Sequence, residues 1–357
     1  MKKQTKDNLV DPNIVQGGAT KDFFITMLIK DITLRDAIGD LVDNAVDAIK
    51  AKASNRDQLI KYSIDIHADP NKLSIFDNGN GIEEQVAREY AFKQGKPEGH
   101  TLAENSIGRF GIGMKRAFFK LGNNITVESI APTSRFTMNI SVNDWKKDEE
   151  DWNFKFNSNS VKTGQHNPQK VTGTRITIMD LSDDAKESFR KAQFENELKD
   201  EIGREHILNI SKGIRVRINR ELLKPQPMTL KYAKDLLPAY WCSSFDHKGS
   251  ILKVEIYAGV SDEIESEGGW NIFCNDRLIL DRDTTKITGW TGAGSDGVAK
   301  YHQQFWGFRG YVFFSAKDST LLPWNNNKTG IHPDSSDYLA ERKKLIEMMK
   351  DLFLLLN

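Results

Sequence analysis

Hydrophobic and polar positions between residues 33 and 53 follow the helical period. Leu34, Ala37, Ile38, Leu41, Ala45, Ala48 and Ile49 fall on one face, and Asp36, Asp40, Asp43, Asn44 and Asp47 on the other. This predicts an amphipathic helix. Downstream the period shortens to two. Tyr62, Ile64 and Ile66 alternate within a strand expected over 60–67, and a second strand is expected over 72–76. A helix is expected from Glu83 and another over 111–121, then strands over 125–130, 135–142 and 174–180. Residues 143–167 are polar and read as an exposed hairpin or insertion. A charged helix over 185–210 leads into a strand-rich region with strands at 214–218, 253–258, 270–274, 278–280 and 310–315. A helix over 335–355 follows. Residues 94–105 and the glycine-rich 289–297 read as loops, and 1–20 as a polar arm or a strap for dimer exchange.

Composition changes this picture little. The 357 residues are 38% hydrophobic and 28% charged, ordinary for a globular chain and enough for two domains. Fifty basic and fifty acidic residues cancel, so no general attraction to nucleic acid is expected. The most basic stretch, 212–224, alternates Ile and Val and reads more simply as a strand with a solvated charged face. Cys242 and Cys274 form no metal-ligand pattern, which fits a reducing cytoplasm. The basic N-terminus lacks an apolar core, so no signal peptide is expected, and the run 352–356 is too short for a membrane span.

Three short motifs carry the candidate chemistry. Asp40 and Asn44 are one helical turn apart and project to one place. A carboxamide oxygen there suits a hydrated Mg²⁺ on a triphosphate, and the acid can orient or deprotonate water. A solvated acidic face would look the same. Asp77 ends a strand and opens Asp77-Asn78-Gly79-Asn80-Gly81, where a carboxylate beside close-approach backbone can accept an exocyclic amine. A plain turn would also fit. Gly108, Gly111 and Gly113 lead into a helix whose N-terminal N–H groups could cradle phosphate, with Lys115 and Arg116 nearby. The string lacks the lysine loop of P-loop proteins and the preceding strand of a dinucleotide fold.

In this order, and followed by Gly173-Thr174 on a later strand, the motifs resemble the GHKL (Bergerat-fold) ATPases. That superfamily includes gyrase B subunits, MutL, heat-shock chaperones, sensor histidine kinases and MORC proteins. The resemblance implies an α+β architecture: helices packed on a mixed, mainly antiparallel sheet over 21–184, then a smaller β-rich domain over 185–357. It implies ATP and Mg²⁺ as cofactors. Asn44 then takes the place of the metal-coordinating asparagine, and Asp77 that of the adenine-binding aspartate. Asp47, Gly79, Gly81 and Ile82 join the nucleotide site. So does the phosphate box of Gly108, Arg109, Phe110, Gly111, Ile112, Gly113, Met114 and Lys115, which closes a lid over 93–107. Thr174 takes the place of the threonine reaching adenine through water.

One departure matters. Hydrolysing members carry glutamate where this chain has Asp40, one methylene shorter. A misplaced water costs on the order of 10²-fold in rate, so turnover is expected to be slow. The second half resembles the transducer module of the gyrase B, MutL and MORC branch. Residues 271–280 are similar to its strand–turn–strand, and 322–331 to the loop whose lysine, here Lys328, reaches the terminal phosphate. The resemblance implies an ATP-dependent homodimer acting on DNA or a partner protein, with no membrane. The alternative, motivated by Asp40, is an ATP-binding regulatory subunit with little turnover. A histidine kinase fits poorly, since no histidine lies among the first thirty residues.

Overall fold

The computed structural model describes residues 17–55, 59–93, 106–108, 111–164, 171–234, 236–262, 267–292 and 297–356. The expected strap before residue 17 and the loop over 94–105 lie outside them, as do Arg109 and Phe110. In chain order the first half comprises α1 (Lys21–Ile29), α2 (Leu34–Lys52), β1 (Ser63–Asp69), β2 (Lys72–Asp77) and α3 (Glu84–Val86), which runs into a π-helical turn (Ala87–Ala91). Then come α4 (Gly113–Leu121), β3 (Gly122–Ile130), β4 (Ser134–Ser141), α5 (Val142–Lys147), β5 (Lys162–Thr163) and β6 (Gly173–Leu181). Helices α6 (Asp183–Phe189), α7 (Ala192–Glu205) and α8 (Ile207–Ser211) lead to β7 (Arg215–Ile218) and β8 (Glu221–Leu222). The remainder is β9 (Ala239–His247), β10 (Ser250–Val260), β11 (Gly269–Cys274), β12 (Arg277–Asp283), β13 (Phe308–Ala316) and α9 (Ser336–Leu356).

Two mixed sheets organise these elements, and the α+β expectation holds. The larger runs β5-β4-β3-β6-β2-β1-β7-β8, the smaller β12-β11-β13-β10-β9. All pairings are antiparallel except β1 with β7 and β11 with β13. Helices α2 and α4 pack together and cover the larger sheet. Residues Ile38, Val42, Val46 and Ile49 of α2 are fully buried there. Because β7 pairs with β1, the first sheet continues past residue 185, where the sequence pattern alone puts the second domain. Parallel pairing across about 150 residues leaves no local trace in so short a strand. The helix expected over 185–210 is three helices, broken at Arg190–Lys191 and at His206.

Residues 143–167 are more than an exposed insertion. Trp145 stacks on Phe119, and Trp152 packs edge-on against both Trp145 and Phe24. The fully buried Lys21 of α1 donates its ammonium to the carbonyls of Trp145 and Asp151 at 2.7 Å, and to that of Asp148. Its nitrogen also lies 4.2 Å from the centre of the Trp145 ring. Helix α1, absent from the sequence expectation, is thus held by one cation in a cage of carbonyls. Strand β9 was also not foreseen, because as the edge strand it exposes most of its residues.

Helix α2 starts with a capping box. The Thr33 hydroxyl accepts the Asp36 N–H at 3.0 Å, and the Asp36 carboxylate accepts the Thr33 N–H at 2.7 Å. Thr33→Ala should lower stability by about 1 kcal/mol, read as a lower urea midpoint at unchanged slope.

Candidate functional site

A cavity of about 390 Å³ opens between α2, the ends of β2 and β6, the 82–91 segment, the start of α4 and the loop around Lys328. At one end, Asp77 pairs across the sheet with Thr174, and Ile75 with Ile176. Strand alternation puts Ile75 on the face of Asp77 and Ile176 on that of Thr174, so an acid and a hydroxyl sit beside two apolar walls. Asp77 is 4% exposed, and its Oδ1 accepts the Gly79 N–H at 2.8 Å. Burial pushes its carboxyl up to about 7, against the opposing pull of the Gly79 and Thr174 N–H groups and of Lys52. Val86, Tyr90 and Ala91 form the facing wall. The wider turn of the π-helix lets both Tyr90 and Ala91 reach the cavity alongside Val86.

Asn44, Asp47, Gly108, Gly111, Ile112, Gly113 and Met114 meet at the other end. The Asn44 side-chain nitrogen is buried with no hydrogen-bond partner, an uncommon state that a polar ligand would relieve. Asp47 accepts the N–H groups of Ile107 and Gly108, both at 2.8 Å. Burial raises its pKa and these two donors oppose the rise. Asp47 therefore anchors the backbone beside Gly108. Gly113 begins α4 directly over Asp40: a Cβ there would stand 3.0 Å from Asp40 Oδ1.

The sequence pattern puts Lys115 and Arg116 together beside the phosphates, but the structure separates them. Lys115 is buried, donates to the carbonyls of Lys93 and Gly111, and does not line the cavity. Consecutive helical residues point about 100° apart, so only one of the two can face the pocket. Gly79 does not line the cavity either. A Cβ there would lie 2.7 Å from the Ala48 carbonyl carbon, so this glycine lets the turn after β2 approach the backbone of α2. Gly81, Ile82 and Thr174 do line it.

The acidic face of α2 is buried by cations. Arg116 donates to Asp40 Oδ2 from Nε at 2.8 Å and from Nη2 at 2.5 Å. Lys328, in the left-handed backbone region at φ 58°, donates to Asp43 at 2.6 Å and reaches Asp40 at 3.5 Å. Arg277 bonds Asp43 at 2.8 Å and Glu205 at 2.9 Å, and donates to the Lys328 carbonyl at 3.0 Å. His206 Nε2 lies 3.3 Å from Asp43. Burial alone would raise the fully buried Asp43, but Arg277 and Lys328 outweigh it and hold this carboxyl well below its ordinary range. Burial would likewise lower Lys328, but Asp43 and Asp40 raise it. For Glu205, burial wins over Arg277 and lifts the carboxyl to about 7.

Sequence reasoning put Arg116 near the phosphates without naming it a site residue, and missed Ile75, Ile176, Tyr90 and Asn326. The two isoleucines were within reach, each two residues from a named site residue on the same strand face. The donor set suits a nucleotide. Among the described residues no group of three or more His, Cys, Asp or Glu could hold a metal alone. A divalent cation here would take the Asn44 oxygen and complete its shell with phosphate and water.

Residues 32–175 match the family model described as Histidine kinase-, DNA gyrase B-, and HSP90-like ATPase. The match supports a GHKL-type ATPase domain over this span, a domain type that binds ATP. No curated protein matches the chain. Among the described residues no helix is long and apolar enough to cross a membrane.

Asp77 makes stability depend on pH. Its ordinary value is 3.8, so between about pH 4 and 7 the folded state keeps a proton that the unfolded chain has lost. Unfolding free energy therefore falls as pH rises through that window. Urea titrations at pH 5 and pH 8 should show Asp77→Asn losing less stability than the parent. Glu205 has the same sign but is common to both proteins.

Proposed function

We propose that this chain is a Mg²⁺-dependent ATP-binding and hydrolysing protein whose nucleotide gates a dimerising clamp on DNA or a partner protein. The observation that carries the reading is the cavity itself. It has a buried acid at one end and, at the other, a carboxamide whose nitrogen lacks a partner, a helix start and a lysine from the second half of the chain.

In this reading Asp77 accepts the adenine amine, Ile75 and Ile176 flank the base, and Thr174 adds a hydroxyl. Asn44 offers its oxygen to Mg²⁺, which neutralises charge on the outer phosphates. The backbone at Gly111 and Gly113, at the start of α4, receives the phosphates. Asp40 Oδ1 faces this end and takes the proton of the attacking water. Lys328 leaves Asp43 for the terminal phosphate and balances charge developing there. Because Lys328 belongs to the second half, its transfer would convey nucleotide state to that half and to the dimer. The second reading, motivated by Asp40 standing one methylene short of a glutamate, is an ATP-binding regulatory subunit with little turnover.

Steady-state phosphate release with Mg²⁺-ATP tests the reading, with Asn44→Ala as the blank. Slow release that vanishes in the blank supports hydrolysis; bound ATP without release supports the second reading. Asp77→Ala should weaken ATP binding about 10- to 100-fold, measured by calorimetry. Because the ionised acid accepts the amine more strongly than the protonated one, affinity should fall as pH drops below about 7. Light scattering with a non-hydrolysable ATP analogue should show a doubled mass; an unchanged mass would remove the clamp.

A further inference from the structure

Arg116 lies three residues after Gly113 on α4, with its side chain 5% exposed. It treats the two oxygens of Asp40 unequally. Nε and Nη2 both donate to Oδ2. Oδ1 faces Gly113, where the missing side chain leaves a gap over it, and Lys328 Nζ stands 3.5 Å away. The third guanidinium nitrogen, Nη1, donates to Asn327 Oδ1 at 2.6 Å, on the loop that carries Lys328. An unrestrained carboxylate rotates broadly about its terminal torsion. A planar guanidinium with two donors on one oxygen fixes that torsion, which a lysine cannot do.

Resting on the hydrolytic reading above, we propose that Arg116 is the positioning residue for Asp40. It anchors Oδ2 so that Oδ1 stays turned to the phosphate end. Through Asn327 it makes that orientation depend on the Lys328 loop. In the reaction the water oxygen bonds to the terminal phosphorus and its proton passes to Asp40 Oδ1. The bond from that phosphorus to the bridging oxygen breaks, and ADP leaves with the electron pair. Arg116 keeps its charge throughout and touches no reacting atom. An aspartate, shorter than the glutamate of hydrolysing relatives, has less reach with which to absorb a wrong torsion, so the anchor matters more here.

The test uses the full chain and compares Mg²⁺-ATP and Mg²⁺-ADP affinity with turnover at saturating ATP. Arg116→Gln should lower turnover by about 10²-fold and leave the ratio of ATP to ADP affinity unchanged. Arg116→Lys should not restore turnover. Asn327→Ala spares the buried ion pair and should lower turnover about 3- to 10-fold with thermal unfolding unchanged. On an Asp40→Asn background, Arg116→Gln should cost nothing further, because the residue acts only through Asp40. A selective loss of ATP over ADP affinity would make Arg116 a phosphate ligand and overturn the proposal. So would full turnover in Arg116→Lys or in Asn327→Ala. Parental turnover in Asp40→Asn would sink the hydrolytic reading and this inference with it. Parental turnover in Arg116→Gln beside an inactive Asp40→Asn would sink this inference alone.

Discussion

Two carboxylates buried on one face of one helix set the terms for everything around them. Asp40 is 4% exposed and Asp43 fully buried, and a carboxylate charge buried this deeply is costly without a close cation. The cations come from three separate places: Arg116 from α4, Arg277 from β12, and Lys328 from the loop before α9. Removing one partner of a buried pair costs about 3–5 kcal/mol. The seating of the smaller sheet's elements on the ATPase-like half therefore depends on charge as well as on apolar burial. The cavity lies at the seam where these charges meet.

The same arrangement makes the site sensitive to a polyanion. Phosphates arriving at the start of α4 would compete with Asp40 and Asp43 for Lys328. Each cation drawn to phosphate leaves a carboxylate that must find another partner, and Arg277 is already shared between Asp43 and Glu205. Charge bookkeeping at the seam, rather than any single contact, links nucleotide to the arrangement of the two halves in the proposed switch.

Much of the first half was legible because its elements are local. The 3.6-residue period of α2 and the alternation in β1 and β2 predict what the structure contains. Asp77 and Thr174 could be named from their motifs, and their cross-strand pairing follows from the register. What escaped reading is non-local. The acidic stripe of α2 was equally compatible with a solvated face, because nothing near it in sequence announces Arg277, more than 200 residues away, and Lys328 enters only through the resemblance. Lys115 and Arg116 looked equivalent as neighbours, and only the helix phase separates them. Trp145 and Trp152 sit in a polar run whose average hides them, yet they wall the cage around Lys21. β7 joins the first sheet through four residues whose pattern could have served either half.

The contact at Gly79 has a consequence of its own. With no side chain between them, the turn that carries Asp77 rests directly on the backbone of α2, which carries Asn44. Asn80 donates its N–H to the Ala48 carbonyl at 2.9 Å, which fastens the two together. The acid at one end of the cavity and the carboxamide at the other are thus fixed marks on one stiff ruler. Whatever occupies the space is measured for length between two marks on one joined framework, while Tyr90, Gly111 and Lys328 reach the cavity from other elements.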